Sequence, residues 1–180
     1  MPSQTFLNLN PDKQARIQAA LLTEFSHHPL AKAQVARIVK EAQIARGAFY
    51  KYFADLTDAY QYLWGQVLHQ IHSKDELRGQ LKRQPADYAN QVRQFLTTGE
   101  EQGLRDLLRL HYTVNEAQLD RPAPVVPGMR FDATTWAVMT LTHQAMRECL
   151  ADADRQEEVL GRLEAALTAL MKGAPDVSGN

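Results

Sequence analysis

Nine glycines and eight prolines punctuate this chain of 180 residues, and they are clustered, so long stretches run without a breaker. Between the breakers apolar residues recur three and four apart, and strand-like alternation of β-branched residues is nearly absent. A chain of this kind folds as all-α. With 44% hydrophobic and 23% charged residues it has the makings of an ordinary globular core. Its length fits one domain, or a small module fused to a larger helical body.

The apolar stripes place the helices. Asn10 before Pro11 is a strong start, because an Asx side chain caps free amides and proline suits the first helical position. Ile17, Ala20, Leu21, Leu22 and Phe25 then form a stripe that stops at His27, His28 and Pro29. Val35, Ile38, Val39 and Ala42 give one buried face of a short second helix. After Gln43 and Ile44 a third runs from about 45 to 53, and a fourth from near Asp55 carries Tyr60, Leu63, Trp64, Val67, Leu68 and Ile71. Pro85 starts another, with Tyr88, Val92, Phe95 and Leu96 inside it and Gly99 offering a stop. Leu104, Leu107, Leu108 and His111 mark the next. RPAPVVPG, 121–128, reads as the longest loop, and two long helices follow over about 132–151 and 155–172, closed by Gly173 and Pro175.

Several classes of function find no support. The single cysteine, Cys149, has no second thiol for a disulfide or a CxxC site, which fits a reducing, cytoplasmic setting. No apolar run is long enough for a membrane span. His27 with His28, and His69 with His72, lack the Cys or acidic neighbours that would complete a metal site, so neither metal nor cofactor is expected. Glu100 with Glu101 and Glu157 with Glu158 read as solvated carboxylates at helix starts. With no phosphate loop and no supported nucleophile, an enzyme is not expected. The net charge of −1 divides unevenly: residues 1–60 hold seven Lys and Arg against five Asp and Glu, and the remainder 13 against 16.

The slightly basic part carries the informative segment. Two short helices joined by a tight turn and packed on a longer one allow the second short helix to enter a DNA major groove. On that helix Phe49 and Phe53 share a buried face, while Arg46, Gly47, Tyr50 and Lys51 project from the other side. Arg46 stands where base edges are met, Gly47 permits close backbone approach, and Tyr50 and Lys51 suit phosphate oxygens. The stretch VARIVKEAQIARGAFYKYFADLTDAY, 35–60, resembles the helix-turn-helix of the TetR family of bacterial transcriptional regulators, and RGAFYKYF is its most specific part. Arg16, Ile17, Ala20 and Phe25 match that family's preceding helix.

The resemblance implies double-stranded DNA as partner, with Arg46, Gly47 and Ala48 facing bases, Tyr50 and Lys51 holding phosphates, and Lys32, Ala33 and Gln34 close to the other strand's backbone. Ala45, just before the reading helix, completes the DNA-binding set. Some positions depart from the pattern. Gln43 stands at a turn usually made by glycine, Ala33 and Ala45 where a Ser or Thr cap is common, and Leu56 where a phosphate-contacting lysine is usual. The resemblance also implies a homodimer formed through the last two helices, in which Val159, Leu160, Leu163, Ala166, Leu167, Leu170 and Met171 form one stripe and Ala133, Ala137, Val138, Leu141, Ala145, Cys149 and Leu150 the other.

A helix-turn-helix domain over 1–55 followed by an all-α ligand-binding and dimerisation domain over 56–180 is therefore expected, acting as a ligand-responsive repressor on a palindromic operator. Large adaptable side chains would line the pocket of an unidentified small-molecule effector. Trp64, Leu68, Phe95, Leu108, His111, Tyr112, Trp136, Met139 and His143 are the candidates. The competing reading is a helical small-molecule-binding or protein-interaction module with a degenerate helix-turn-helix, motivated by Gln43, Leu56 and the missing caps.

Overall fold

The computed structural model describes residues 1–71, 84–119 and 132–173, and they are helical with no strand among them. The helices in order are α1 (Gln4–Leu7), α2 (Pro11–His27), α3 (Val35–Glu41), α4 (Arg46–Tyr52), α5 (Leu56–Ile71), α6 (Pro85–Glu101), α7 (Arg105–Leu110), α8 (Ala133–Ala151) and α9 (Gln156–Gly173). Short 3-10 turns at Leu30–Lys32 and Ala153–Arg155 precede α3 and α9. Helix α7 runs on into a π turn, His111–Asn115, and then a 3-10 turn, Glu116–Gln118. His72, the proline-rich segment 121–128 and Pro175 lie outside the described residues.

Local chemistry sets the helix ends. Asn10 accepts the Asp12 N–H at 2.8 Å with Pro11 in the first turn of α2, and Asp132 accepts the Thr135 N–H at 2.7 Å at the start of α8. Two helices end in the same Schellman geometry, by different residues. At the end of α6 the Leu104 N–H reaches the Gly99 carbonyl and the Gly103 N–H the Glu100 carbonyl, with Gly103 at φ 68°. At the end of α3 the Ile44 N–H reaches Val39 and the Gln43 N–H reaches Lys40, with Gln43 at φ 53°. The turn thus keeps the left-handed geometry that glycine normally supplies, with a side chain in place of the hydrogen.

Three sequence readings are corrected here. Gly99 does not stop α6; it is a buried packing residue, and a Cβ there would lie 2.4 Å from Leu108 Cδ1. Gly103, four residues on, makes the turn. Glu100 and Glu101 consequently sit at the end of a helix, not at a start, and Glu100 pairs with Arg105 at 2.9 Å instead of with the helix dipole. At the start of α3 the N-cap is Gln34, since Ala33 still belongs to the preceding turn and donates its N–H to Leu30. Helix α1 was not foreseen.

Burial joins the elements into two apolar clusters. The first gathers Phe6, Ile17, Leu21, Phe25, Ile38, Phe49 and Phe53 from α1 to α4 and the residue after α4, and continues through Tyr60 and Leu63 of α5 to Phe95, Leu107 and Tyr112. The second packs Tyr88 and Val92 of α6 against Val138, Ala145 and Cys149 of α8 and Val159, Leu160, Leu163 and Leu167 of α9. Each large side chain removed from water in this way contributes roughly 1.5–3 kcal/mol. Much of the stripe on the last two helices is therefore occupied within the chain.

Candidate nucleic-acid interface and its link to the body

Helix α4 is held from its buried side and left open on the other. Phe49 and Phe53 are 0% and 1% exposed, whereas Arg46, Gly47 and Lys51 lie at the surface and Tyr50 is 51% exposed. No side chain caps its start at Ala45. Its far end is secured by α1, since Ser3 donates its N–H to the Tyr52 carbonyl (2.9 Å) and its hydroxyl to the Lys51 carbonyl (2.6 Å). Phe6, fully buried against Tyr52, Phe53 and Tyr62, anchors that brace. Sequence reasoning missed this contribution, although Ser3 three residues before a lone phenylalanine was the available signal.

The approach to α3 is fixed differently. Lys32 and Gln34 are exposed and Ala33 is half-buried. Gln34 caps α3 without a side-chain bond, and its N–H is taken instead by Glu24 Oε1 of α2 at 2.7 Å. The same carboxylate binds Arg37 through Nε and Nη2 at 2.7 and 2.6 Å, and Arg37 Nη2 also donates to the Lys32 carbonyl at 2.9 Å. Burial alone would raise the Glu24 pKa. The hydrogen bonds from Arg37 and the Gln34 amide, with the charges of Arg37 and His28, outweigh it and hold the pKa below the usual 4.5.

Leu56 opens α5 beside α4, where Asp55 accepts the Asp58 N–H and Asp58 accepts the Ala54 N–H at 2.8 and 3.0 Å. A groove of about 440 Å³ runs between Val35 of α3, Tyr50 of α4, Leu56 of α5 and Gln118.

Of the body's expected pocket residues, the structure brings Trp64, Phe95, His111, Tyr112 and His143 into one aromatic cluster. Trp64 lies flat on His111 with centroids 3.5 Å apart, and Tyr112 meets Phe95 and His143 at 6.0 and 5.1 Å. Leu108 is 1% exposed nearby in sequence, while Leu68 and Met139 are half-buried. Trp136 is 58% exposed and takes no place in this cluster among the described residues. His143 Nε2 contacts Glu116 at 2.8 Å. Burial pushes the His111 pKa down to about 4, opposed by the charge of Glu116, and raises the Tyr60 and Tyr112 hydroxyls.

A directed set of hydrogen bonds connects this cluster to the head. The Leu30 N–H, in the turn before α3, donates to Asn115 Oδ1 at 2.9 Å; Asn115 Nδ2 donates to the Tyr60 oxygen at 3.3 Å. The Tyr60 hydroxyl lies 2.8 Å from His111 Nδ1 and donates to it when the neutral imidazole carries its proton on Nε2. Asn115 is fully buried in the π turn, a distortion that helices commonly adopt at functional positions.

Comparison with known proteins agrees with the head. Residues 17–56 match the family model described as bacterial regulatory proteins, tetR family. The head of the chain is thus similar to the TetR family. The family is one of helix-turn-helix transcription regulators, and α2 to α4 form that motif here. The whole chain is similar in fold to a TetR family transcriptional regulator from Chloroflexus aurantiacus J-10-FL, with a TM-score of 0.54 and 21% identity over 96% of this chain and 98% of that one. A TetR transcriptional regulator from Rhodococcus sp. RHA1 aligns at a TM-score of 0.48 and 16% identity, over 91% and 97%. No curated protein matches the sequence. Among the described residues no helix is long and apolar enough to cross a membrane, and no group of three His, Cys, Asp or Glu is placed to hold a metal ion.

Proposed function

We propose that this TetR-family chain is a cytoplasmic, ligand-responsive repressor that binds a palindromic operator as a homodimer and has no enzymatic activity. The observation that carries the reading is the exposed face of α4, with Arg46, Gly47, Tyr50 and Lys51 outward and Phe49 and Phe53 sealed beneath. Arg46, Gly47 and Ala48, with Ala45 before them, meet base edges. Tyr50, Lys51, Lys32, Ala33 and Gln34 contact the phosphate backbone. Residues 1–55 act as the head and 56–180 as the body.

The dimer forms through α8 and α9. Their outer faces still present Trp136 at 58% and Leu141 at 37% exposure, and a shallow groove between Gly161, Ala165, Thr168 and Ala169 suits close helix approach. Two-fold pairing sets two reading helices on half-sites about one DNA turn, ~34 Å, apart. An effector that repacks the Trp64, His111 and Tyr112 cluster acts on the head through Asn115 and Leu30, favouring one head separation over another.

A gel shift with the DNA flanking its own gene tests the reading: a specific retarded band at low salt is expected, and the absence of one would sink it. Sedimentation at micromolar concentration should give a species of twice 20.3 kDa, and a 20.3 kDa species alone would remove the dimer.

A further inference from the structure

Helix α2 contains a residue that its packing does not call for. Ile17, Ala20, Leu21 and Phe25 are all fully buried, and Glu24, in the same face, is 4% exposed. An apolar side chain would complete that stripe. Replacing a buried ion pair by apolar residues is often neutral or stabilising, so stability gives little reason for a carboxylate here.

What the carboxylate does is geometric. It fixes the amide of Gln34, and its partner Arg37 fixes the carbonyl of Lys32, so one charged pair holds both ends of the three-residue segment 32–34. That segment has no side-chain cap of its own. Its side chains at 32 and 34 point outward, and Glu24, neutralised by Arg37, places no unpaired negative charge near a phosphate.

We propose that Glu24 and Arg37 are positioning residues of the DNA interface, tethering both ends of residues 32–34 and presenting Lys32 and Gln34 to backbone phosphates in a fixed register. The proposal rests on the DNA-binding reading above and deepens it. Without the pair, α3 still packs through Val35 and Ile38, but residues 32–34 lose their common tether.

The test uses the full chain carrying Glu24→Leu with Arg37→Leu, measured for melting temperature and for DNA affinity across a salt series. Expected are a melting temperature at or above the wild type, about tenfold weaker binding at low salt, and a log-log salt slope shallower by ~1, the share of one phosphate contact. An unchanged slope overturns the proposal, whether affinity is retained or falls only with the folded fraction. Should the double variant not fold, Glu24→Gln keeps an acceptor for the Gln34 amide but removes the ion pair. The same loss of slope is expected there, with a fall in melting temperature smaller than that of Arg37→Ala, and an unchanged slope again overturns the assignment. If the wild type itself binds no DNA, the functional reading fails instead, so the two failures are distinguishable.

Discussion

The head and the body each bury a polar group, and they keep it in opposite charge states. Glu24 in the head is ionised and matched to Arg37; His111 in the body is neutral, stacked on Trp64 and bonded to Tyr60. A buried ion pair holds one geometry and fails badly when one partner is lost. A neutral network is less costly to bury, but it is vulnerable to a proton. The rigid device thus stands beside the proposed DNA face, and the alterable one in the proposed effector cluster.

The comparison breaks most directly in the head. Arg37→Ala leaves the Glu24 carboxylate buried without its partner, and the largest loss of stability in urea unfolding is expected there. Glu24→Gln leaves Arg37, partly in water already, and should cost less. Equal losses from the two would mean that burial of the carboxylate is not the dominant cost.

Acid should find the body first. The folded His111 has a pKa of about 4 against 6.5 for the free group, so it resists protonation when folded. Its contribution is intact above pH 6.5 and is lost as pH falls toward 4, a decline of about 2–3 kcal/mol. Glu24, with its pKa held below 4.5, keeps its contribution intact above pH 4.5 and loses it as pH falls below that. Fluorescence of Trp64, monitored in a Trp136→Phe background, should therefore change with a midpoint near pH 4, where the folded imidazole takes up its proton. A Trp64 signal that stays flat as pH falls through 4 would contradict this.

Smaller effects sharpen the same contrast. Tyr60→Phe strips the hydroxyl from between His111 and Asn115 and should cost about 1–2 kcal/mol, because both partners stay buried. It should also narrow the gap between head and body in acid. Gln43→Gly relieves the left-handed backbone at the end of α3 and should stabilise by about 0.5–1 kcal/mol, with the α3 to α4 geometry unchanged. A loss of stability on that substitution would show that the Gln43 side chain has a packing role.

The two regions also differed in how much of them could be read in the sequence. Stripes such as Val35, Ile38 and Val39, and the opposition of Phe49 and Phe53 to Arg46 and Tyr50, are local patterns, and local periodicity places them correctly. The strain at Gln43 was legible because the departure from glycine is itself a sequence feature. Glu24 and Arg37 were not legible, since their pairing joins two helices across 13 residues and neither belongs to a motif. The Leu30 to Asn115 bond spans 85 residues and leaves no mark in either segment. Gly99 was misread for a related reason: whether a glycine turns the chain or admits a neighbour depends on Leu108, which only the packing supplies. Trp136 joined the pocket candidates on residue type alone, and its exposed position was set by the rotation of α8.

Selection of bound fragments from a genomic DNA pool, run in parallel with the wild type and with Arg46→Ala, tests the central claim most directly. The wild type should enrich an inverted repeat with half-site centres about one turn, ~34 Å, apart, and the variant should relax preference at one or two positions in each half. Enrichment of no sequence by the wild type, or an identical motif from both proteins, would contradict the account of α4 as the reading helix.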